Sequence, residues 1–204
     1  MTVPHSLDNV AERILDFIQN ELNLSCCAVM GHSLGGYIVL AMIEKDPTRF
    51  PCFGLIHSTA YPDSEERKAN RLKVIDFVRT HGVRQFIESF IPPLFYDPSN
   101  PYIPLTVALA SSTPLQTLVS YTQAMRLRPD RTTLIRSFGK PILMVAGKED
   151  KIISLESVTT LASSSINVHL IILERVAHMG MLEDAEGLVN NIRNFILGVP
   201  LPTS

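Results

Sequence analysis

One hexapeptide, GHSLGG at residues 31–36, restricts the fold of this chain more than any other feature. An apolar run at residues 26–30 leads into it, and a longer apolar stretch at residues 37–43 follows it. A short apolar run, a glycine-rich break and an apolar stretch together predict a buried strand that turns sharply into a helix. Ser33 is therefore expected on the turn between the two elements.

A serine on such a turn has the features of a nucleophile. The tight turn holds it in a strained conformation that lifts its hydroxyl clear of the backbone at the top of the sheet. We expect a side chain at Gly31 or Gly35 to collide with the turn, whereas Gly36 lets the helix lie close to the strand. The backbone N–H of Leu34 then faces the substrate as an oxyanion donor, assisted by the helix N-terminus. Glycine-rich turns also bind phosphate, but neither nucleotide-binding pattern, G-x-G-x-x-G or G-x-x-x-x-G-K-[ST], fits these residues.

Three further apolar runs predict strands, and helical patterns alternate with them along the chain. The strands are expected at residues 52–57, 141–146 and 168–173, and the main helices at residues 7–22, 155–161 and 185–197. Such alternation is typical of a parallel sheet with right-handed crossovers. The predicted fold class is therefore α/β, with about four parallel strands. A charged fraction of 19%, below that of a typical soluble domain, fits a sheet that is covered on both faces.

Residues 61–137 show no strand pattern, and we expect them to form a helical cap inserted over the strand ends. The charged run at residues 63–68 is expected to be a solvated helix face, and residues 115–127 to form another helix. Six aromatic side chains of the cap are able to line an apolar acyl pocket: Phe77, Phe86, Phe90, Phe95, Tyr96 and Tyr102. We expect most of them to be cap core, and Phe90 and Phe95 are the candidates for substrate contact.

An acid and a base are expected at the same sheet edge as Ser33, because sites in parallel sheets form at the carboxyl ends of the strands. The third predicted strand ends in GKED, which places Asp150 on a loop at that edge, with Glu149 as its competitor. The last strand ends shortly before His178, again on a loop at that edge. Asp150 alone would also fit a turn former or helix cap, and a lone loop histidine usually has no catalytic role. The order serine, acid, histidine at three strand ends favours a catalytic triad.

Three segments resemble the signature segments of the α/β-hydrolase superfamily: GHSLGG at residues 31–36, GKED at residues 147–150 and HMGMLE at residues 178–183. They are most similar to its bacterial esterase, lipase-like and haloperoxidase-like branch. The resemblance spans nearly the whole chain, and its motifs are specific for the fold and the triad but not for the substrate. It implies that Ser33 is the nucleophile, that His178 is the general base and then the acid, and that Asp150 orients the imidazole.

The resemblance also divides the chain into an α/β-hydrolase core, residues 1–60 and 138–204, and the helical cap, residues 61–137. The family's sheet normally has eight strands, with the nucleophile after the fifth and a second oxyanion donor on a loop after the third. We therefore expect four strands and that loop to be absent. Their absence would leave residues 26–30 as an unpaired apolar edge, which is a template for pairing with another chain. We expect a truncated gene product, or self-association or another pairing through this edge.

The function that the resemblance implies is serine hydrolysis of a carboxylic ester or thioester in a small-molecule acyl substrate, through an acyl-enzyme. Relatives that cleave halides or epoxides generally carry Asp where this chain has Ser33. No metal or organic cofactor is implied. A carbon–carbon bond hydrolase and a perhydrolase use the same triad and remain alternatives. A catalytically impaired, truncated scaffold is the alternative from another class, because Leu34 is the only oxyanion donor that the sequence identifies.

Charge and cysteine content narrow the class of protein further. The net charge is −2, and no Lys/Arg cluster offers the basic footprint of a nucleic-acid-binding protein. No apolar stretch has the length of a membrane span, and the N-terminus lacks a signal-peptide pattern, so we expect a cytoplasmic protein. Of the three cysteines, Cys26 and Cys27 are expected to be buried strand thiols in a reducing compartment.

The remaining polar residues near the motifs are assigned no catalytic role. His32, beside Ser33, is expected to be structural, and Glu183 is expected to support the His178 loop or to cap the last helix. His57, His81 and His169 show neither a partner pattern nor metal-ligand spacing.

Overall fold

Four parallel strands form the centre of the molecule in the computed structural model of the chain, which describes residues 6–200. They pair in the order β1-β2-β3-β4. Their bounds are β1 (Val29–His32), β2 (Phe53–Ile56), β3 (Ile142–Gly147) and β4 (Val168–Leu173). The predicted α/β class and parallel sheet are confirmed.

Helices precede, connect and follow the strands. Outside the segment between β2 and β3 they are α1 (Leu7–Asn20), α2 (Leu34–Lys45), α8 (Leu155–Ala162), α9 (Gly180–Glu183) and α10 (Ala185–Leu197). Between β2 and β3 lie α3 (Glu65–His81), α4 (Val83–Phe90), a 3₁₀ turn (Pro92–Leu94), α5 (Ile103–Ser111), α6 (Leu115–Arg126) and α7 (Thr132–Ser137). Within residues 6–200, none of these helices combines the length and the apolar character that a membrane crossing requires.

Strand β3 shows why the central runs are continuously apolar. Ile142, Met144 and Ala146 pack into the cluster that α1, α2 and α8 cover. Leu143 and Val145 point to the other face, where they pack in a cluster with side chains of α10. A strand that is buried on both faces has no solvent side and therefore no polar alternation.

The start of β1 differs from the prediction, and with it the environment of two cysteines. The strand begins at Val29, Cys26 is exposed and Cys27 is half-buried, so the expectation of two buried strand thiols is wrong. The parallel register pairs Val29 with Phe53, which would bring Cys27 opposite Pro51. Proline has no N–H to give to a ladder, and the Cys27 N–H instead donates to the Arg49 carbonyl at 3.3 Å.

The outer edge of β1 carries no paired strand within residues 6–200, since β1 pairs with β2 alone there. An unpaired edge presents free N–H and C=O groups that can template another strand. Self-association through this edge stays a prediction.

The charged run at the start of α3 also differs from the prediction. Asp63 is 3% exposed rather than part of a solvated face. Its carboxylate contacts Arg71 Nε at 2.6 Å and Arg128 Nη1 at 2.8 Å. Burial raises the pKa of Asp63, but the hydrogen bond from Arg71 and the charges of both arginines hold it below its ordinary value. The pair with Arg128 ties the beginning of the helical segment to its end.

Two of the three glycines where β1 turns into α2 are required by close packing. A Cβ at Gly31 would overlap the backbone of Gly35 and Gly36, and a Cβ at Gly36 would overlap the Ser58 side chain. At Gly35 no described atom lies within 4 Å of the position of a Cβ, so the expected collision at that residue is wrong. The close approach of α2 to β1 therefore depends on Gly31 and Gly36.

We expect Gly31→Ala to lower the free energy of unfolding by about 3 kcal/mol, because the added methyl group overlaps backbone that cannot move aside cheaply. Gly35→Ala is the matched control. It adds the same methyl group in open space on a helix, where alanine is favoured over glycine by up to about 1 kcal/mol. Urea unfolding of both variants measures the difference, and equal stabilities would contradict this account of the turn.

Candidate active site

Ser33 lies on the turn between β1 and α2 with φ 49° and ψ −115°, outside the regions that non-glycine residues usually adopt. Three backbone contacts hold it there. Its N–H donates to the Ile56 carbonyl at 2.9 Å, and its carbonyl accepts the Gly36 N–H at 3.0 Å and the Ser58 hydroxyl at 2.8 Å. The conformation turns the Ser33 side chain toward the carboxyl edge of the sheet.

His178 lies on the loop after β4, directly against this turn. Its Nε2 is 2.9 Å from Ser33 Oγ, and its Nδ1 is 2.7 Å from Asp150 Oδ2. The side chain is buried. The His178 N–H donates to the Leu94 carbonyl at 2.9 Å, so the 3₁₀ turn of the helical segment fixes the backbone of this loop.

Asp150 lies on the loop after β3, where its two carboxylate oxygens have separate partners. Oδ1 accepts the N–H groups of Ile152 and Ile153 at 2.7 and 3.0 Å, and Oδ2 faces His178. Burial raises the pKa of Asp150, but the hydrogen bonds to its charged form outweigh burial and hold the pKa well below its ordinary value. An ionised Asp150 can only accept, so His178 Nδ1 carries the proton and Nε2 is free to accept the Ser33 hydroxyl.

The competing carboxylate, Glu149, points elsewhere. Its side chain is exposed, whereas Asp150 is 6% exposed and hydrogen-bonded to the imidazole. Among the described residues, 6–200, Asp150 is hydrogen-bonded to His178, and Glu149 is not.

Glu183 supports the loop of His178, which is one of the two roles expected for it. Its Oε2 accepts the N–H groups of Ala177 and Met179 at 3.1 and 3.0 Å, on either side of His178. Its Oε1 accepts the Tyr96 N–H at 2.6 Å, which adds a second link to the helical segment. The helix cap belongs to the next residue instead, since Asp184 accepts the Gly187 N–H at 3.0 Å.

His32 also holds the His178 loop, which fits the structural role expected for it. Its Nε2–H donates to the His178 carbonyl at 2.8 Å. Burial, opposed by this hydrogen bond, lowers the pKa of His32 to about 4. The ring is therefore neutral at neutral pH and adds no charge next to His178.

We expect this neutral burial to make folding pH-dependent. The pKa of His32 is about 4 in the folded chain and about 6.5 when unfolded, so the unfolded state binds more protons between these values. The free energy of unfolding therefore decreases as the pH is lowered through this range. The contribution lost between pH 7 and pH 5 is about 2 kcal/mol. His32→Gln keeps an N–H donor but cannot be protonated. Urea unfolding at pH 7 and pH 5 is therefore expected to show a decrease in unfolding free energy that is about 2 kcal/mol smaller in the variant than in the wild type. An identical pH dependence in both proteins would contradict the assignment.

Sequence analysis missed His57, which follows β2 at the same sheet edge. The side chain is fully buried, and its Nδ1 accepts the Gly147 N–H at 3.2 Å and lies 3.7 Å from Asp150 Oδ2. The one available signal was its position, directly after a buried strand at the edge that carries Ser33 and Asp150.

The structure gives the positions of the remaining predicted site residues, Leu34, Phe90 and Phe95. Leu34 begins α2, so its N–H is among the helix-terminal donors without an intrahelical acceptor. Phe95 is buried with Ile87 and Ile91 in the core of the helical segment. Phe90 is 39% exposed and stacks on Phe86 at a centroid distance of 5.0 Å. A role of Leu34, Phe90 or Phe95 toward substrate stays a prediction.

Metal ligation has no candidate among the described residues: residues 6–200 contain no group of three or more His, Cys, Asp or Glu side chains placed to hold an ion.

Sequence comparison identifies a family for almost the whole chain. The family profile described as "Alpha/beta hydrolase family" matches residues 2–191. No curated protein sequence matches the chain significantly.

Solved structures agree with the fold. A thermophilic esterase from Thermogutta terrifontis is 26% identical, with a TM-score of 0.87 over 95% of this chain and 73% of that one. An enol-lactonase from Burkholderia xenovorans LB400 is 18% identical, with a TM-score of 0.83 over 97% and 75%. The 2-hydroxy-6-oxo-6-phenylhexa-2,4-dienoate hydrolase from Rhodococcus sp. strain RHA1 is 17% identical, with a TM-score of 0.77 over 97% and 74%. This chain thus spans about three quarters of the length of each of them.

Proposed function

Because this chain belongs to the α/β-hydrolase family, we propose that it is a serine hydrolase that cleaves a carboxylic ester or thioester through an acyl-enzyme. The observation that carries the proposal is the continuous hydrogen-bonded series from Ser33 Oγ through the His178 imidazole to the Asp150 carboxylate, at 2.9 and 2.7 Å. Its nucleophile, base and orienting group stand in the relation that acyl transfer requires.

In the first half of the reaction Ser33 is acylated. His178 Nε2 takes the hydroxyl proton while Ser33 Oγ bonds to the substrate carbonyl carbon, and the carbonyl oxygen becomes an oxyanion. The Leu34 N–H, at the positive end of α2, is the donor we assign to that oxyanion. The tetrahedral intermediate then collapses: the bond to the alcohol or thiol breaks, and the leaving group takes the proton from His178.

In the second half, water replaces the leaving group. His178 Nε2 takes a proton from the water, whose oxygen attacks the acyl carbon, and the Ser33 oxygen leaves with that proton. The products are a carboxylic acid and the restored hydroxyl. Asp150 stays ionised throughout and stabilises the imidazolium that forms twice in each cycle.

The ester or thioester class rests on two further supports. A serine in the nucleophile position forms an ester intermediate that water can hydrolyse. The Thermogutta terrifontis structure, which is 26% identical to this chain, is that of an esterase.

A panel of activated esters tests the proposal. The purified chain is expected to hydrolyse p-nitrophenyl esters or the thioester acetyl-thiocholine, at a rate that excess EDTA leaves unchanged. Ser33→Ala protein prepared in parallel controls for contaminating esterases. A well-folded chain that turns over none of these substrates faster than the Ser33→Ala protein would contradict the proposal.

A further inference from the structure

His57 combines a costly backbone conformation with complete burial. Its φ of 46° lies in the left-handed region, which costs a non-glycine residue of the order of 1 kcal/mol. Its side chain is 0% exposed, and its N–H donates to the Val145 carbonyl of β3 at 2.8 Å. The surroundings therefore hold this residue in one orientation against its own preference.

The ring of His57 is a hydrogen-bond acceptor at Nδ1. The Gly147 N–H, at the end of β3, donates to this atom at 3.2 Å, which places a ring proton on Nε2. Nε2 is buried and has no hydrogen-bond partner among residues 6–200. A buried donor without a partner costs about 1–3 kcal/mol, which an apolar side chain at this position would avoid. Packing alone therefore does not account for a histidine here.

Gly147 is the junction through which His57 reaches the proposed triad. The Gly147 carbonyl accepts the Asp150 N–H at 3.3 Å, which closes the turn that presents the Asp150 carboxylate. A Cβ at Gly147 would overlap the carbonyl of Ala177, the residue before His178. A displacement of Gly147 would thus move Asp150 and the His178 loop relative to each other.

The opposite side of the His57 ring touches the same loop. Nε2 lies against Gly180, where a Cβ would overlap the ring. The ring centroid is 6.0 Å from that of His178 and 5.8 Å from that of His32. The His57 imidazole is therefore wedged between the end of β3 and the loop that carries His178.

We infer that His57 is a positioning residue for the proposed hydrolysis: its Nδ1 holds the Gly147 amide, and through it the Asp150 turn, where Asp150 Oδ2 accepts the His178 Nδ1–H. This inference rests on the proposed function. Hydrogen bonds weaken steeply with misalignment, and a misplacement of about 1 Å can lower a reaction rate about 100-fold. His57 acts through Gly147 and does not touch the reacting atoms.

Asparagine and leucine at position 57 separate positioning from packing. The two side chains have nearly the same shape, but only asparagine places an acceptor oxygen where Nδ1 lies, and it also tolerates positive φ. We expect His57→Leu to lower the rate at which a fluorophosphonate probe inactivates the protein about 10- to 100-fold, with little change in the probe concentration for half-maximal rate. His57→Asn is expected to stay close to the wild-type rate.

One further readout and one substitute variant keep the test decisive. The downfield proton resonance of His178 Nδ1–H, identified by its loss in His178→Gln, is expected to persist in His57→Asn and to shift or broaden in His57→Leu. If His57→Leu does not fold, His57→Gln takes its place, since its amide reaches past the Nδ1 position. Equal inactivation rates in the folded Asn and Leu, or Asn and Gln, proteins would overturn the inference. If the wild-type protein itself resists the probe, the proposed function fails instead.

Discussion

Replacing Ser33 by alanine is expected to lower the rate of ester hydrolysis by about 10⁶-fold. The hydroxyl is the atom that forms the covalent bond, and without it His178 and Asp150 have nothing to activate. The three residues act as a unit, so His178→Ala is expected to cost about as much, and the double variant no more than either one. Additive losses would contradict a shared role.

The measurement compares initial rates on p-nitrophenyl acetate with thermal unfolding of the same samples. Alanine keeps the backbone contacts that hold this turn, so the replacement is not expected to destabilise the fold. Ser163→Ala is the matched control. Ser163 follows the last residue of α8, is exposed, and loses the same hydroxyl. A folded Ser33→Ala protein that keeps more than a small fraction of wild-type activity would exclude Ser33 as the nucleophile.

Asp150→Asn is expected to lower kcat by about 10⁴-fold at neutral pH without loss of the fold. An asparagine amide facing His178 favours the wrong imidazole tautomer, in which Nε2 carries the proton and cannot accept the Ser33 hydroxyl. The ionised carboxylate that would stabilise the imidazolium is also gone. The low pKa of Asp150 implies that the wild-type carboxylate stays charged throughout the pH range of esterase assays.

Glu149→Gln provides the control for this substitution. It makes the same chemical change one residue earlier, at an exposed side chain outside the hydrogen bonds of His178. We expect its kcat to remain close to the wild-type value. A comparable loss in both variants would mean that the general charge of the loop matters rather than the contact between Asp150 and His178.

The centre of the sheet could be predicted because β2 and β3 are buried on both faces. Continuous apolar runs mark β2, β3 and β4 within one or two residues of their observed bounds, and the glycine-rich break marks the turn after β1. The positions of Ser33, Asp150 and His178 followed from the same logic, since parallel strands bring their carboxyl ends to one edge. Their hydrogen-bond distances depend on the tertiary structure, which the order of serine, acid and histidine along the chain only suggested.

The features that sequence reasoning missed depend on partners far away in the chain. Asp63 looked like part of a solvated run, but Arg128, 65 positions later, buries it in an ion pair. Cys26 looked like a strand residue, but Pro51 on the neighbouring segment ends the ladder before it. His57 showed no pattern at all, because its partner is the backbone N–H of Gly147, a group that every residue except proline carries.

The most direct measurement of the central claim is peptide mass spectrometry of the chain after reaction with a fluorophosphonate probe. The account predicts a single adduct, on the peptide that contains Ser33, and predicts its absence from folded His178→Ala protein treated in the same way. An adduct on a different serine, or an equally rapid adduct on Ser33 when the imidazole is missing, would contradict it.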